Sequence, residues 1–168
     1  CHTRHRFSLK EARKPEACDQ CHLGPDHPQI EIYNESKHGT IYHAEGSEWT
    51  WSSDQGPWQA GKHFRAPTCA VCHMSAIGGI AATHDTTERL SWELQAPRTV
   101  RPNEFKPFPA ASDWRIEREK MQTVCRQCHS LTWTQDHFNN LDTVIENYNT
   151  LYFDPVKKTM DRLYANGL

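Results

Sequence analysis

Seven cysteines stand at positions 1, 18, 21, 69, 72, 125 and 128, and six of them form pairs separated by two residues, each pair followed at once by histidine. The complete segments are Cys18-Asp19-Gln20-Cys21-His22, Cys69-Ala70-Val71-Cys72-His73 and Cys125-Arg126-Gln127-Cys128-His129. Cys1 is followed by His2, which makes the last two residues of a fourth copy. In such a segment the two thiols add to the two vinyl groups of haem, and the adjacent imidazole is set beneath the iron as an axial ligand. Zinc would ask for two cysteine pairs per metal and requires no histidine after each pair. A redox dithiol would occur once, near a βαβ pattern, and none is visible. No cysteine is left over for a disulfide, so the spacing points to covalent haem c. Attachment then falls to Cys1, Cys18, Cys21, Cys69, Cys72, Cys125 and Cys128, and proximal iron ligation to His2, His22, His73 and His129.

The remaining histidines supply the second axial position. The chain holds 11 histidines, so seven lie outside the motifs: His5, His27, His38, His43, His63, His84 and His137. Low-spin electron-transfer haems take a second ligand, usually His or Met. Met74 follows His73 too closely to reach across the same iron, so bis-histidine haems are expected. His5 lies three residues after His2, and on a helical turn both would occupy one face. If His5 is a ligand it therefore serves a neighbouring haem; hydrogen bonding to a propionate is the alternative. His38 and His84 are the stronger distal candidates, His43 and His63 weaker ones, and His137 reads as a solvated helix residue.

The elements that must hold these groups are poor in carbon. Of 168 residues 36% are hydrophobic, with ten prolines and eight glycines, and the mean hydropathy is -0.83. A chain so polar buries too little side chain for an ordinary core. Six tryptophans, five tyrosines and six phenylalanines argue against disorder. A large apolar prosthetic group would supply the missing core. The net charge of -2 gives no reason to expect nucleic acid or an anionic membrane surface as partner. No apolar run approaches the roughly 18 residues of a membrane helix. A start inside a motif is expected of a piece of a longer polypeptide.

The fold class expected is mainly α: a multihaem cytochrome c in which helices and loops wrap closely packed covalent haems, with little or no sheet. Residues 1–111 form a region with three haem sites, the first truncated, and residues 112–168 carry the last site and a long kinked helix. The basic residues Arg4, Arg6, Lys10, Arg13 and Lys14 suit propionates, or else a solvated face. Residues 46–68 read as loop, with Trp49, Trp51 and Trp58 set against porphyrin or a partner subunit, although ordinary packing accounts for any one of them. Four prolines between Ala96 and Ser112 mark an extended connection. Ser112 or Asp113 is predicted to cap a helix running through Trp114, Ile116 and Met121. Phe138, Leu141, Val144, Ile145, Tyr148, Leu151 and Tyr152 recur at helical spacing, and Met160, Leu163 and Tyr164 continue the stripe beyond Pro155, which should kink or break it. Gly167 suits the end of that helix.

Several runs resemble the octahaem hydroxylamine oxidoreductase family, which includes hydrazine-oxidising relatives. They are Cys1-His2-Thr3-Arg4-His5-Arg6-Phe7-Ser8, the stretch from Cys18 through His22-Leu23-Gly24-Pro25-Asp26-His27-Pro28-Gln29, and Glu35-Ser36-Lys37-His38-Gly39. Further matches are Ala66-Pro67-Thr68-Cys69, Thr83-His84-Asp85, Arg89-Leu90-Ser91-Trp92 and Tyr148-Asn149. The resemblance spans nearly the whole chain.

What it implies is an oxidoreductase with about eight haems in each subunit of a homotrimer. One of them would be a five-coordinate catalytic haem, crosslinked to a tyrosine of a neighbouring subunit, that oxidises hydroxylamine or hydrazine. By motif order the segments here resemble the fifth to eighth sites, so the catalytic haem's own motif would lie before Cys1 and the crosslinking tyrosine beyond Leu168. The resemblance assigns Asp26 and His27 as the proton acceptors beside the catalytic haem; read by itself, the same Gly-Pro-Asp-His-Pro run is also good turn chemistry. Sister subunits, a small soluble electron acceptor such as a cytochrome, and a small nitrogenous substrate would be the partners. The compartment would be periplasmic or an equivalent one, the anammoxosome in an anammox bacterium. Nitrite reduction by relatives lacking the crosslink, and pure electron transfer without a substrate, are the alternative functions.

Overall fold

The computed structural model describes residues 1–2, 5–52, 58–90 and 112–168. Among these residues no strand forms beyond two isolated bridges, Ala60 with Phe64 and Ile77 with Ile80, so the expectation of helices and loops is met. The proline-bearing connection falls outside the described residues up to position 111, as do Arg4, Ser91, Trp92 and part of the 46–68 loop. The chain divides into two compact units, one of Cys1–Arg89 with Thr123–Cys128, the other of Leu90–Gln122 with His129–Leu168.

In the first unit, helix α1 (Leu9–Arg13) begins at Ser8, whose hydroxyl accepts the Glu11 N–H at 3.3 Å. Helices α2 (Gln29–Glu35) and α3 (Lys37–Glu45) meet at Ser36. Its hydroxyl donates to the Tyr33 carbonyl at 2.7 Å and accepts the Gly39 N–H at 3.1 Å, so one side chain closes α2 and opens α3. The corner is tight. A Cβ at Gly39 would collide with the Tyr33 carbonyl and stand 2.9 Å from the Asn34 Cα, both of them backbone. Only glycine lets the two helices turn so sharply.

The core of this unit is aromatic. Tyr42, Trp49, Trp51, Trp58 and Phe64 are buried together, with ring centroids between 4.3 and 6.3 Å apart. The three tryptophans of the 46–68 loop are thus ordinary core residues packed on one another. Their polar ends find carbonyls: the Trp51 indole donates to Gly46 O at 2.8 Å and that of Trp58 to Thr50 O at 2.7 Å. Two of the basic residues belong to this packing. Arg13 donates to Trp51 O at 2.7 Å and lies 4.7 Å from the Trp58 ring centroid, and the Lys14 ammonium lies 5.5 Å from that of Trp51.

The second unit is built on long helices. The Asp113 carboxylate accepts the Arg115 N–H at 2.8 Å and caps α5 (Trp114–Cys125), as one of the two predicted caps. Ser130 caps α6 (Leu131–Tyr148) by accepting the Trp133 N–H at 3.2 Å. Arg118 pairs through both terminal nitrogens with Asp142, at 2.9 and 2.6 Å, and its guanidinium packs over the rings of Trp114 and Phe138.

Pro155 does not break the helix. A wide turn at Asn149–Phe153 links α6 to α7 (Asp154–Ala165), and the proline sits in the first turn of α7. There its missing N–H costs no intrahelical bond, and the widened turn before it absorbs the ring. The end of α7 is closed by Gly167 at φ +76°, with Gly167 N–H on Tyr164 O and Leu168 N–H on Leu163 O, both at 3.1 Å. Of the predicted stripe only Phe138 is fully buried within the unit; Val144, Leu151, Tyr152 and Tyr164 are each more than 60% exposed.

Candidate functional site

Each Cys-x-x-Cys-His segment lies on a helical turn. Cys18 follows a short 3-10 turn at Pro15–Ala17, and its carbonyl accepts the N–H of Cys21 at 3.1 Å and of His22 at 3.0 Å. Cys69–His73 is itself helix α4. Cys125 ends α5, and the Cys128 N–H returns to its carbonyl at 3.1 Å. Residues three apart on such a turn share a face, so each pair presents both thiols to the same side with the histidine next to them. That is the donor arrangement that two thioether bonds and one axial imidazole on a single porphyrin demand. None of the seven cysteines is tied up in a disulfide, and the residues fit the group.

Helix α4 is held most firmly. Its Ala70 and Val71 are buried, and Thr68, 1% exposed at its start, donates its hydroxyl to Arg13 O at 2.6 Å. Tyr33 reaches the same entrance, donating to Pro67 O at 3.2 Å. The exit is closed by Arg89. Its guanidinium donates to the carbonyls of Val71 and Cys72 at 3.2 and 3.1 Å, and to those of Ser75 and Ala81 at 2.7 and 3.0 Å.

The fold brings different motifs together. The Cys18 and Cys69 side chains interact, which together with burial raises the Cys18 thiol and lowers that of Cys69 against its own burial. Loss of solvent pushes the Cys72 thiol up to about 12, and the sulfurs of Cys125 and Cys128 add to the shift. Burial likewise holds the His73 imidazole below its ordinary value; a bond with the Thr86 backbone opposes this, while the charges of Arg89 and His22 add to it. A neutral imidazole is the form that binds iron.

The other candidates are scattered. Asp26 and His27 are exposed on a turn in which the His27 N–H bonds Gly24 O at 3.2 Å. Cys1, His2, His5, His22 and His84 are exposed, and His38 is half-buried on α3. The His43 Nε2 lies 2.9 Å from Asn34 Oδ1, and the His63 Nδ1 accepts the Gln59 N–H at 2.9 Å. At the start of α6, Trp133 stacks between His129, which precedes the helix, and His137, with centroid distances of 3.8 and 5.0 Å. The four-residue spacing of these three rings is visible in the sequence and was the signal available for them. Thr68 and Arg89 act across tens of residues or fewer with no local pattern, so nothing in the sequence marks their roles.

A family model described as "seven times multi-haem cytochrome CxxCH" matches residues 1–168. The chain belongs to the multihaem cytochromes. This multihaem cytochrome is 35% identical over 157 residues to a probable nitrite reductase-hydroxylamine oxidoreductase fusion protein of Kuenenia stuttgartiensis, covering 83% of the chain and 18% of that protein. Among solved structures it matches the reducing HAO-like protein complex of Kuenenia stuttgartiensis at 33% identity with a TM-score of 0.80, covering 99% of this chain and 36% of that one. It also matches a hypothetical multiheme protein at 26% identity and a TM-score of 0.73, covering 89% of this chain and 41% of that one. The cytochrome thus spans less than half the length of each of these relatives. It carries covalently bound haem c, with iron, and its helical architecture is that of HAO-like multihaem proteins. Among the described residues no helix is long and apolar enough to cross a membrane.

Proposed function

We propose that this multihaem cytochrome is the electron-conducting haem segment of an HAO-like oxidoreductase that oxidises hydroxylamine or hydrazine at a five-coordinate haem outside these residues. The observation that carries the proposal is that the turns bearing Cys18–Cys21, Cys69–Cys72 and Cys125–Cys128 belong to one compact unit. Attachment points gathered in one unit support a relay of short electron steps. Bound haem supplies one-electron exchange at iron. The protein's own part is to hold each group. Cys1, Cys18, Cys21, Cys69, Cys72, Cys125 and Cys128 provide the thioethers, and His2, His22, His73 and His129 the proximal imidazoles. His5, His38 and His84 are the distal ligands of first choice. His63 would have to give up its bond from Gln59 in order to serve, and His43 would have to leave Asn34 to serve through Nε2.

Asp26 and His27 would accept the protons that leave the substrate with its electrons. Their exposure on the Gly24–His27 turn leaves both side chains open to a group brought against that turn. Sister subunits of a homotrimer, a small soluble electron acceptor, and a periplasmic or equivalent compartment complete the proposal.

A second reading runs the chemistry towards nitrite reduction. It is favoured by the names of two relatives, one a probable nitrite reductase fusion and the other a reducing HAO-like complex. An optical spectrum of the holoprotein separates the readings. A far-red band beyond ordinary c-type absorption, with reduction by hydroxylamine or hydrazine alone, supports oxidation. Ordinary bands with no response to either compound would leave a reductase or an electron carrier.

A further inference from the structure

Arg89 is the largest fully buried side chain among the described residues, at 1% exposure. Arginine is rarely buried unless it is paired. Here the four bonds of its terminal nitrogens all go to backbone carbonyls, and its Nε is buried with no partner. Carbonyl dipoles satisfy hydrogen bonds but leave the net charge in place, offset only in part by the neighbouring Glu88 carboxylate. Two of the four carbonyls, those of Val71 and Cys72, belong to α4 and would otherwise be orphaned at its C-terminal end. The cation therefore sits directly behind the haem-binding turn, and His73 follows Cys72 in the chain.

We infer that Arg89 is the positioning residue of the Cys69–His73 haem site: its fork clamps the turn that carries Cys72 and His73, and its buried charge raises the reduction potential of the haem held there. The reasoning is electrostatic. A fixed positive charge in a medium of low dielectric disfavours the more positive, oxidised iron relative to the reduced one. Lysine offers the charge without the planar fork, whereas glutamine offers two N–H donors without the charge, so the two functions separate by substitution. Burial also pulls the guanidinium's own pKa down, against the opposing effect of Glu88 and Cys72. The inference rests on the reading of Cys69–His73 as a haem site.

The test is a potentiometric titration of the holoprotein followed by low-temperature electron paramagnetic resonance, with haem content checked by mass on the peptide containing Cys69 and Cys72. Arg89→Gln is expected to lower one haem component by about tenfold in the reduced-to-oxidised ratio at fixed potential, or 59 mV for one electron. Arg89→Lys is expected to leave that component near its original position. An Arg89→Gln protein with full haem content and unchanged components would overturn the inference. If Arg89→Gln fails to take up haem at Cys69 and Cys72, the potential is read in Arg89→Lys, where a tenfold fall despite the retained charge overturns the electrostatic role. A haem-free Cys69–Cys72 peptide in the unaltered protein would overturn the haem reading and this inference together; an attached haem indifferent to the charge overturns the inference alone.

Discussion

The Trp133 indole lies 3.8 Å, centroid to centroid, from the His129 imidazole, with the two planes within 16° of each other. His129 lies just before the Ser130 cap of α6 and Trp133 in its first turn, four residues on, and the two rings stack. The proposed proximal ligand of the last haem site therefore has its ring plane set by an indole, and His137 covers the other side of that indole at 5.0 Å.

Replacing Trp133 by alanine should remove the stacking that bears on the His129 ring and change the electron paramagnetic resonance g values of a single haem, whereas Trp133→Phe should retain them. Trp133 is 44% exposed, so the melting temperature should move little, by the equivalent of about 1 kcal/mol or less. Identical spectra for the alanine variant and the unaltered protein would show that the stack does not orient the ligand.

Gly39→Ala should cost about 3 kcal/mol, at the upper end of overpacking, because the colliding atoms are backbone and cannot turn aside. Gly24 is the contrast. Its φ is +86° but no atom lies within 4 Å of an added Cβ, so Gly24→Ala should cost only about 1 kcal/mol of backbone strain. Urea midpoints of the two holoproteins, compared side by side, decide whether the α2–α3 corner is as tight as described.

Arg118→Ala should destabilise the second unit by about 3 kcal/mol, since it removes the two-pronged partner of an Asp142 carboxylate at 19% side-chain exposure. Arg118→Lys keeps the charge but loses the two-pronged pairing and the broad contact with Trp114 and Phe138, and should recover only part of the loss. Thermal unfolding followed by far-ultraviolet circular dichroism at constant haem content measures both. Full recovery with lysine would mean that charge alone matters at this position.

Alkaline stability should depend on Tyr33 and Tyr42. Burial raises both phenols above the ordinary 10, and for Tyr42 the hydrogen bonds donated to Glu16 at 2.8 Å add to the effect. The unfolded chain releases these protons near pH 10 while the native chain keeps them. The native state then holds more protons, and stability falls as pH rises above 10. Tyr33→Phe and Tyr42→Phe should each flatten that fall, measured as the denaturation midpoint between neutral pH and the alkaline limb. Parallel pH profiles for variant and unaltered protein would count against the assignment.

The haem chemistry was legible because it is local. Cys69-Ala70-Val71-Cys72-His73 needs one helical turn to bring its sulfurs to one face, and any chain that forms the turn presents the same donors. The cap at Asp113 and the terminal glycine at position 167 were readable for the same reason, as each acts within a few residues. Pro155 was readable only in part: the residue type signals a disturbance, but whether the helix breaks or widens depends on the turn before it.

Residue identity and spacing by themselves determined the cofactor, the attachment cysteines expected to hold it and the predominance of helix, since those follow from covalent chemistry and short-range geometry. Only the tertiary structure decided that Cys18 meets Cys69, that Trp49, Trp51 and Trp58 form a core among themselves, and that Arg89 closes the end of α4. Such contacts join residues whose separation along the chain carries no period. They exist because burying aromatic area and satisfying the orphaned carbonyls at a helix end select one path of the chain among many, and that selection is made by the whole unit at once.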